Sequence, residues 1–232
     1  MTRVMLVDDQ ELFRAGIAVI IDAQEDMEVV ASVGDGRSAV AAAYEARPDV
    51  VLMDLRMPEM DGVEATRLLL QPASVATRPH RLAVLVLTTF DLDARAAEAI
   101  RYGASGFLLK DVSPSMLVDA IRTVHVGHAV LSPRDLSTIL TATFTPEVAP
   151  PAAVATLTDK EREVLGWVSR GLSNIEIGKQ MFVSESTVKS HVGALLRKLD
   201  ARDRVQLVVY AHDHRLLLPP DDGRLTPARA SR

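Results

Sequence analysis

The sequence predicts two units in succession: an α/β domain on a doubly wound, five-stranded parallel sheet, then an all-α domain. Three observations predict this. Five short runs, at 3–7, 28–33, 49–53, 82–87 and 106–109, are almost continuously apolar, as strands are when helices cover both sheet faces. Segments of helical period lie between and after them, at 10–22, 36–46, 62–71, 92–102 and 114–126. From Leu157 onward strand patterning stops and helix-start signals take over.

The strand ends carry the chemistry. The first run, Val4-Met5-Leu6-Val7, ends in Asp8-Asp9. The third ends in Asp54, the fourth in Thr88-Thr89 and the fifth in Lys110. Carboxyl ends of parallel strands share one edge, where such sheets bind ligands. Three carboxylates, a hydroxyl and an ammonium are therefore expected at one point. Clustered like charges are costly unless neutralised, and a hard divalent cation with oxygen ligands would neutralise them. The lysine would then face an added anion. Such a pocket suits an aspartate phosphorylated beside magnesium. The turn Met57-Pro58-Glu59-Met60-Asp61-Gly62 would hold the loop that overhangs Asp54. The fifth helix opens on Ser113-Pro114, an N-cap followed by proline at the first helical position.

Ser132-Pro133 repeats that start signal and predicts a short helix to about Thr143. The proline-rich stretch 144–155 reads as a linker, and the tail after Leu218 as disordered. The expected domains are 1–126, a linker with a short helix at 127–153, a helical domain at 154–218 and a tail at 219–232.

Composition narrows the function classes. The chain has 232 residues and no cysteine, which excludes disulfides and thiolate chemistry. No apolar run approaches the roughly 20 residues that cross a bilayer, and the N-terminus opens into a strand with no signal-peptide pattern. A cytoplasmic location and no membrane partner are expected. The net charge of −5 is uneven: −7 over 1–126, −1 over 127–153 and +3 over 154–232. An anionic partner is expected for the back half alone.

The helical domain has explicit punctuation. Thr158-Asp159-Lys160-Glu161 and Ser173-Asn174-Ile175-Glu176 are capping boxes, each opening a helix. Gly171 is placed to end the first, and the second runs to about Met181. Phe182-Val183-Ser184 is a tight turn, and Ser184 caps a third helix near 185–199. Val188, Val192, Leu195, Leu196 and Leu199 share one face of it. Lys189, Ser190, Gly193 and Arg197 lie opposite. Two helices joined by a short turn, the second presenting small and basic residues, form a helix-turn-helix able to enter a major groove. Gly178 in the second helix should loosen it by about 1 kcal/mol. His191 reads as a packing or phosphate-facing residue, because no second histidine has zinc-ligand spacing.

Residues 1–126 resemble the receiver domain of two-component response regulators. The resemblance rests on Val7-Asp8-Asp9, on 54–62 from Asp54 to Gly62, on Leu87-Thr88-Thr89 and on 103–111 from Gly103 to Asp111. It implies that Asp54 accepts a phosphoryl group from a sensor histidine kinase. It implies that Asp9, Asp54 and the backbone carbonyl of Arg56 bind Mg²⁺, with Asp8 supporting directly or through water. Lys110 would pair with the carboxylate and then the phosphoryl oxygens, Thr88 would hydrogen-bond the phosphoryl group, and Phe107 would stand at the aromatic switch position or simply in the core. The Lys110–Asp111 bond would be cis, as is common in that family. Residues 157–215 resemble the LuxR-type helix-turn-helix, on 157–165, 171–177, 183–192 and 197–204. Together the two imply the NarL/FixJ class. Lys189, Ser190 and Gly193 would face the groove, Thr187 and Arg197 would contact phosphates, and double-stranded DNA would be bound by a homodimer favoured by phosphorylation.

The chain is thus expected to be a regulator and not an enzyme. A phosphatase of the haloacid dehalogenase type would need a second aspartate at 56, where arginine stands. The alternative is a phosphorylation-independent DNA-binding regulator with a vestigial receiver. A sink that never binds DNA is opposed by the intact helix-turn-helix pattern.

Overall fold

The computed structural model describes residues 1–76, 81–89, 94–128, 130, 152–214 and 216. Five strands form one parallel sheet in the order β2-β1-β3-β4-β5: β1 Thr2–Val7, β2 Met27–Val33, β3 Val50–Asp54, β4 Ala83–Thr88 and β5 Gly106–Leu109. The helices between them are α1 Glu11–Asp22, α2 Gly36–Ala46, α3 Gly62–Leu70, the short α4 Pro72–Ala76 and α5 Ala94–Arg101, with α6 Pro114–His125 after β5. The five strands and five helices expected over 1–126 are all present. The chain adds α4, whose five residues are too few to show a period.

Alternate strand residues feed two apolar layers. Val4, Leu6, Val50, Leu52, Leu85 and Leu108 pack toward α1 and α6. Met5, Val7, Val51, Met53, Val84 and Val86 pack toward α2, α3 and α5. The central strands β3 and β4 are buried along their whole length. That double burial is why they read as unbroken apolar runs.

The β5 edge is not left open. Val130 forms a parallel bridge with Gly106. Phe107 N–H donates to the Val130 carbonyl at 3.0 Å, and Val130 N–H donates to the Ser105 carbonyl at 3.1 Å. The helix expected at 132–143, the body of the linker and the tail at 219–232 lie outside the described residues.

The second unit is helical: α7 Ala152–Ala155, α8 Asp159–Ser169, α9 Asn174–Met181, α10 Glu185–Lys198 and α11 Arg204–Asp213. The expected linker stretch 144–155 thus ends in a helical turn, α7, and Arg162 donates to the Val154 carbonyl at 3.2 Å. Both capping boxes form as the sequence demands. Val164, Leu165, Val168, Ile177, Val188, Leu195, Leu207 and Val208 make the core.

Two expectations fail. No cis peptide bond occurs among the described residues, so the Lys110–Asp111 bond is trans. Residue 111 is an aspartate, and a cis bond before a non-proline residue costs about 2.5–4 kcal/mol. Gly178 is not a mere weakness in α9. A Cβ there would fall 2.8 Å from the Val183 carbonyl oxygen, so glycine lets the α9–α10 turn close tightly.

The two units touch through α5 and α11. Gln206 Nε2 donates to the Ile100 carbonyl at 2.9 Å, and Arg101 pairs with Asp213 at 2.9 Å. Arg81 lies 3.6 Å from Asp203, the buried N-cap of α11. Burial pushes the Asp203 carboxyl up from the usual carboxylate range.

Candidate functional site

The sheet edge gathers the strand-end residues into one pocket. Asp8 and Asp54 are buried and Asp9 is exposed. One carboxylate oxygen from each lies within 4.8 Å of the others. Lys110 enters from the end of β5, its side chain only 7% exposed. Its ammonium stands 2.9 Å from Asp54 Oδ2 and 2.6 Å from Asp8 Oδ2. Register places Lys110 here: β5 runs beside β4, and Lys110 N–H donates to the Thr88 carbonyl at 2.8 Å. Thr88 is itself buried at the end of β4.

Backbone donors fix the carboxylates. Gln10 N–H donates to Asp8 Oδ1 at 2.8 Å, and Arg56 N–H donates to Asp54 Oδ1 at 3.3 Å. The Arg56 peptide is thereby held beside the carboxylate. The loop after β3 folds back so closely that a Cβ on Gly62 would lie 1.9 Å from the Asp54 carbonyl oxygen. Only glycine allows this approach, and Asp61 then caps α3 through Glu64 N–H at 2.9 Å. Arg14, on α1, donates to the Asp8 carbonyl.

Burial pushes the Asp54 carboxyl above its ordinary range, against the pull of Lys110. Burial alone would lower the Lys110 ammonium, but the two carboxylates outweigh it and hold it up. The pocket is thus an ion cluster with more negative than positive charge. Asp8 Oδ2 is buried, with the Lys110 ammonium 2.6 Å away as its ion-pair partner. A hard cation with oxygen ligands matches this donor set.

Phe107 is half-buried on the layer toward α3 and α5, two residues along β5 from the strand position beside Thr88. Phe13 was not singled out by sequence reasoning. Its ring lies 4.9 Å, centroid to Nζ, from Lys110. In the sequence it reads as one more apolar residue on the inner face of α1.

The helical domain presents a second array. Val188, Val192 and Leu195 face inward from α10. Thr187, Lys189, Ser190 and Arg197 are exposed, and Gly193 is half-exposed on the same outer side. Ser184 caps the helix through Thr187 N–H at 3.2 Å, and its hydroxyl lies 2.8 Å from Thr187 Oγ1. Ser190 Oγ donates back to the Ser186 carbonyl at 3.0 Å. His191 is half-buried, and among the described residues no histidine joins a metal-ligand group. The hydrogen bond and ion pair to α5 come from α11, and among the described residues none covers the polar face of α10.

Comparison with known proteins follows this division. Residues 4–122 match the family model described as response regulator receiver domain. Residues 155–211 match the model described as bacterial regulatory proteins, luxR family. The chain is 41% identical over 216 residues to a transcriptional regulatory protein, YxjL, of Bacillus subtilis, covering 90% of this chain and 94% of that one. It is 38% identical over 218 residues to LiaR of the same organism, covering 94% and 100%. It is 36% identical over 223 residues to the DNA-binding transcriptional activator DevR/DosR of Mycobacterium tuberculosis, covering 96% and 100%. Among solved structures, a LuxR-family two-component response regulator from Aurantimonas sp. SI85-9A1 superposes with a TM-score of 0.52 at 33% identity, over 61% of this chain and 97% of that one.

Proposed function

We propose a phosphorylation-controlled, DNA-binding role for this chain, which belongs to the two-component response regulators that join a receiver domain to a LuxR-type DNA-binding domain. Its relatives are transcriptional regulatory proteins, a family not typically enzymatic. In this reading residues 1–126 are the receiver, 127–153 the linker, 154–218 the effector and 219–232 a tail, in a cytoplasmic protein that performs no turnover of its own. No helix among the described residues is long and apolar enough to cross a membrane.

Asp54 is the phosphoacceptor. One observation carries this: its buried carboxylate shares Lys110 with Asp8 and stands within 4.8 Å of two other carboxylates. An Asp54 oxygen attacks the phosphorus of a kinase phosphohistidine. The P–N bond breaks as the O–P bond forms, and the imidazole leaves. Such transfer needs positioning and charge neutralisation more than covalent help. Lys110 offsets charge on the phosphoryl oxygens, and Thr88 donates its hydroxyl to one of them. Asp8, Asp9, Asp54 and the Arg56 carbonyl would hold Mg²⁺, which supplies further neutralisation when bound.

Phe107, on the strand beside β4, packs on the same layer as α5. Movement of Thr88 toward a phosphoryl group would reach both and loosen the hold of α5 on α11. The effector, paired as a dimer, would then present α10 to the major groove. Lys189, Ser190 and Gly193 would face base edges, with Thr187 and Arg197 on phosphates.

The test is intact-mass labelling with acetyl phosphate and Mg²⁺. The wild type should gain one phosphoryl group and Asp54→Asn none; equal labelling of Asp54→Asn would sink the assignment. Specific DNA binding that rises in the wild type alone on phosphodonor treatment would remove the alternative of a vestigial receiver.

A further inference from the structure

We infer that Phe13 is a positioning residue of the phosphoacceptor pocket, its ring holding the Lys110 ammonium in place between Asp8 and Asp54. This rests on the reading of Asp54 as the acceptor. An ammonium has three donor directions. Asp8 Oδ2 and Asp54 Oδ2 take two sides of Lys110 at 2.6 and 2.9 Å. The Phe13 ring takes another, with its centroid 4.9 Å from Nζ, inside the roughly 6 Å range of cation–π attraction.

An aromatic face suits this place better than a further carboxylate or a water. Its attraction is broad and not aimed at one proton. The ammonium can therefore turn from a carboxylate oxygen to a phosphoryl oxygen without breaking a directed hydrogen bond to the ring. Phe13 and Lys110 both line an open cavity of about 290 Å³ between α1 and α6, together with Leu12, Ile17, Ile20, Leu109 and Leu117. The ring fills room beside the lysine that a water competing for the ammonium would otherwise take.

The helix fixes the ring. Phe13 packs with Ile17 and Ile20 on the layer under the sheet. The next residue, Arg14, donates to the Asp8 carbonyl and, at 3.2 Å, to Ser32 Oγ, so this turn of α1 is tied to the pocket it faces. A packing residue alone would need only volume; a residue acting on Lys110 needs the ring.

The experiment measures phosphoryl uptake from acetyl phosphate and Mg²⁺ by intact mass in the full-length chain. Phe13→Leu keeps most of the apolar volume and should slow uptake roughly 3- to 10-fold, the range of a partly desolvated cation–π contact. Phe13→Tyr keeps the ring and should stay within about 2-fold of wild type. In a Lys110→Gln background the slowing by Phe13→Leu should vanish, because no cation remains to be held. Uptake by Phe13→Leu at the wild-type rate overturns the proposal. So does equal slowing by Phe13→Tyr, or a Phe13→Leu effect that persists undiminished without Lys110. Asp54→Asn is the separate control: if it labels like the wild type, the acceptor assignment has failed and not the role of Phe13.

Discussion

Gly193 occupies the middle of α10 on its outer side, and Gly193→Ala should separate folding from binding. Glycine inside a helix costs about 0.8–1.0 kcal/mol relative to alanine. Nothing among the described residues asks for that cost. Among the described residues a Cβ at 193 would meet only Arg197 Nη1, at 3.7 Å, an ordinary contact. Gly178 is the contrast, since a Cβ there would strike the Val183 carbonyl oxygen at 2.8 Å. Gly193→Ala should therefore stabilise the effector by about 1 kcal/mol, or roughly 4–8 °C for a domain of this size. The same methyl would keep α10 from the groove floor and weaken the neighbouring Lys189 contact. A base contact of that kind is worth about 1–3 kcal/mol, so specific affinity should fall roughly 5- to 150-fold. Trp167 is the sole tryptophan and lies in α8, so its fluorescence follows effector unfolding in the intact chain. A fluorescence-anisotropy titration gives the affinity. Raised stability with unchanged affinity would show that position 193 does not approach DNA. Lowered stability would show that the outer side of α10 is packed after all.

Three further outcomes are expected. Lys189→Ala should cost about 1–3 kcal/mol on specific DNA and relax one base position if Lys189 reads a guanine; a uniform loss with a shallower salt slope would mean a phosphate contact, and no loss would end the proposed binding mode. Glu161 is held down to about 2, first by Lys198 at 2.7 Å and then by the Thr158 N–H. Its folded value is the lower one, so its stabilisation is complete above the usual 4.5 and lost as pH falls toward 2. Lys198→Met should flatten the loss of effector stability over that window, followed by Trp167 in urea titrations at several pH values; an unchanged profile would refute the pairing. Gln206→Ala with Arg101→Ala should loosen α11 from α5 by about 1 kcal/mol, since the ion pair is partly exposed. DNA affinity of the unphosphorylated chain should then rise up to about 5-fold, and an unchanged affinity would mean that this seam does not restrain the effector.

Much of the pocket was legible because strand ends and sheet edges are local facts. A run such as Val50 to Met53 says where its last side chain emerges, and parallel pairing does the rest. The capping boxes at Thr158 and Ser173 were legible for the same reason: both partners lie within four residues. What escaped was long-range or aperiodic. The approach of Phe13 to Lys110 joins α1 to the end of β5, and apolar period alone assigns Phe13 to the core. Gly178 looked like a weakness because the crowding carbonyl of Val183 belongs to the following turn. The α5–α11 seam is made by Arg101, Asp213 and Gln206, surface residues of no marked pattern. A trans Lys110–Asp111 bond follows from the absence of proline at 111, a local fact that outweighs the family habit.

The bridge at Val130 bears on how such proteins are recombined. Exchanging effectors between regulators means choosing a cut, and the end of α6 is the obvious place. A cut at 126 strips from β5 the two hydrogen bonds that Val130 makes with Phe107 and Ser105. The orphaned edge would present unpaired donors and acceptors, an invitation to strand exchange between molecules. A junction placed after Val130 keeps that seam closed. Length added beyond it costs little, because loop entropy grows only with the logarithm of length. The useful unit for grafting is therefore the sheet together with Val130, the described residue that bridges its last strand.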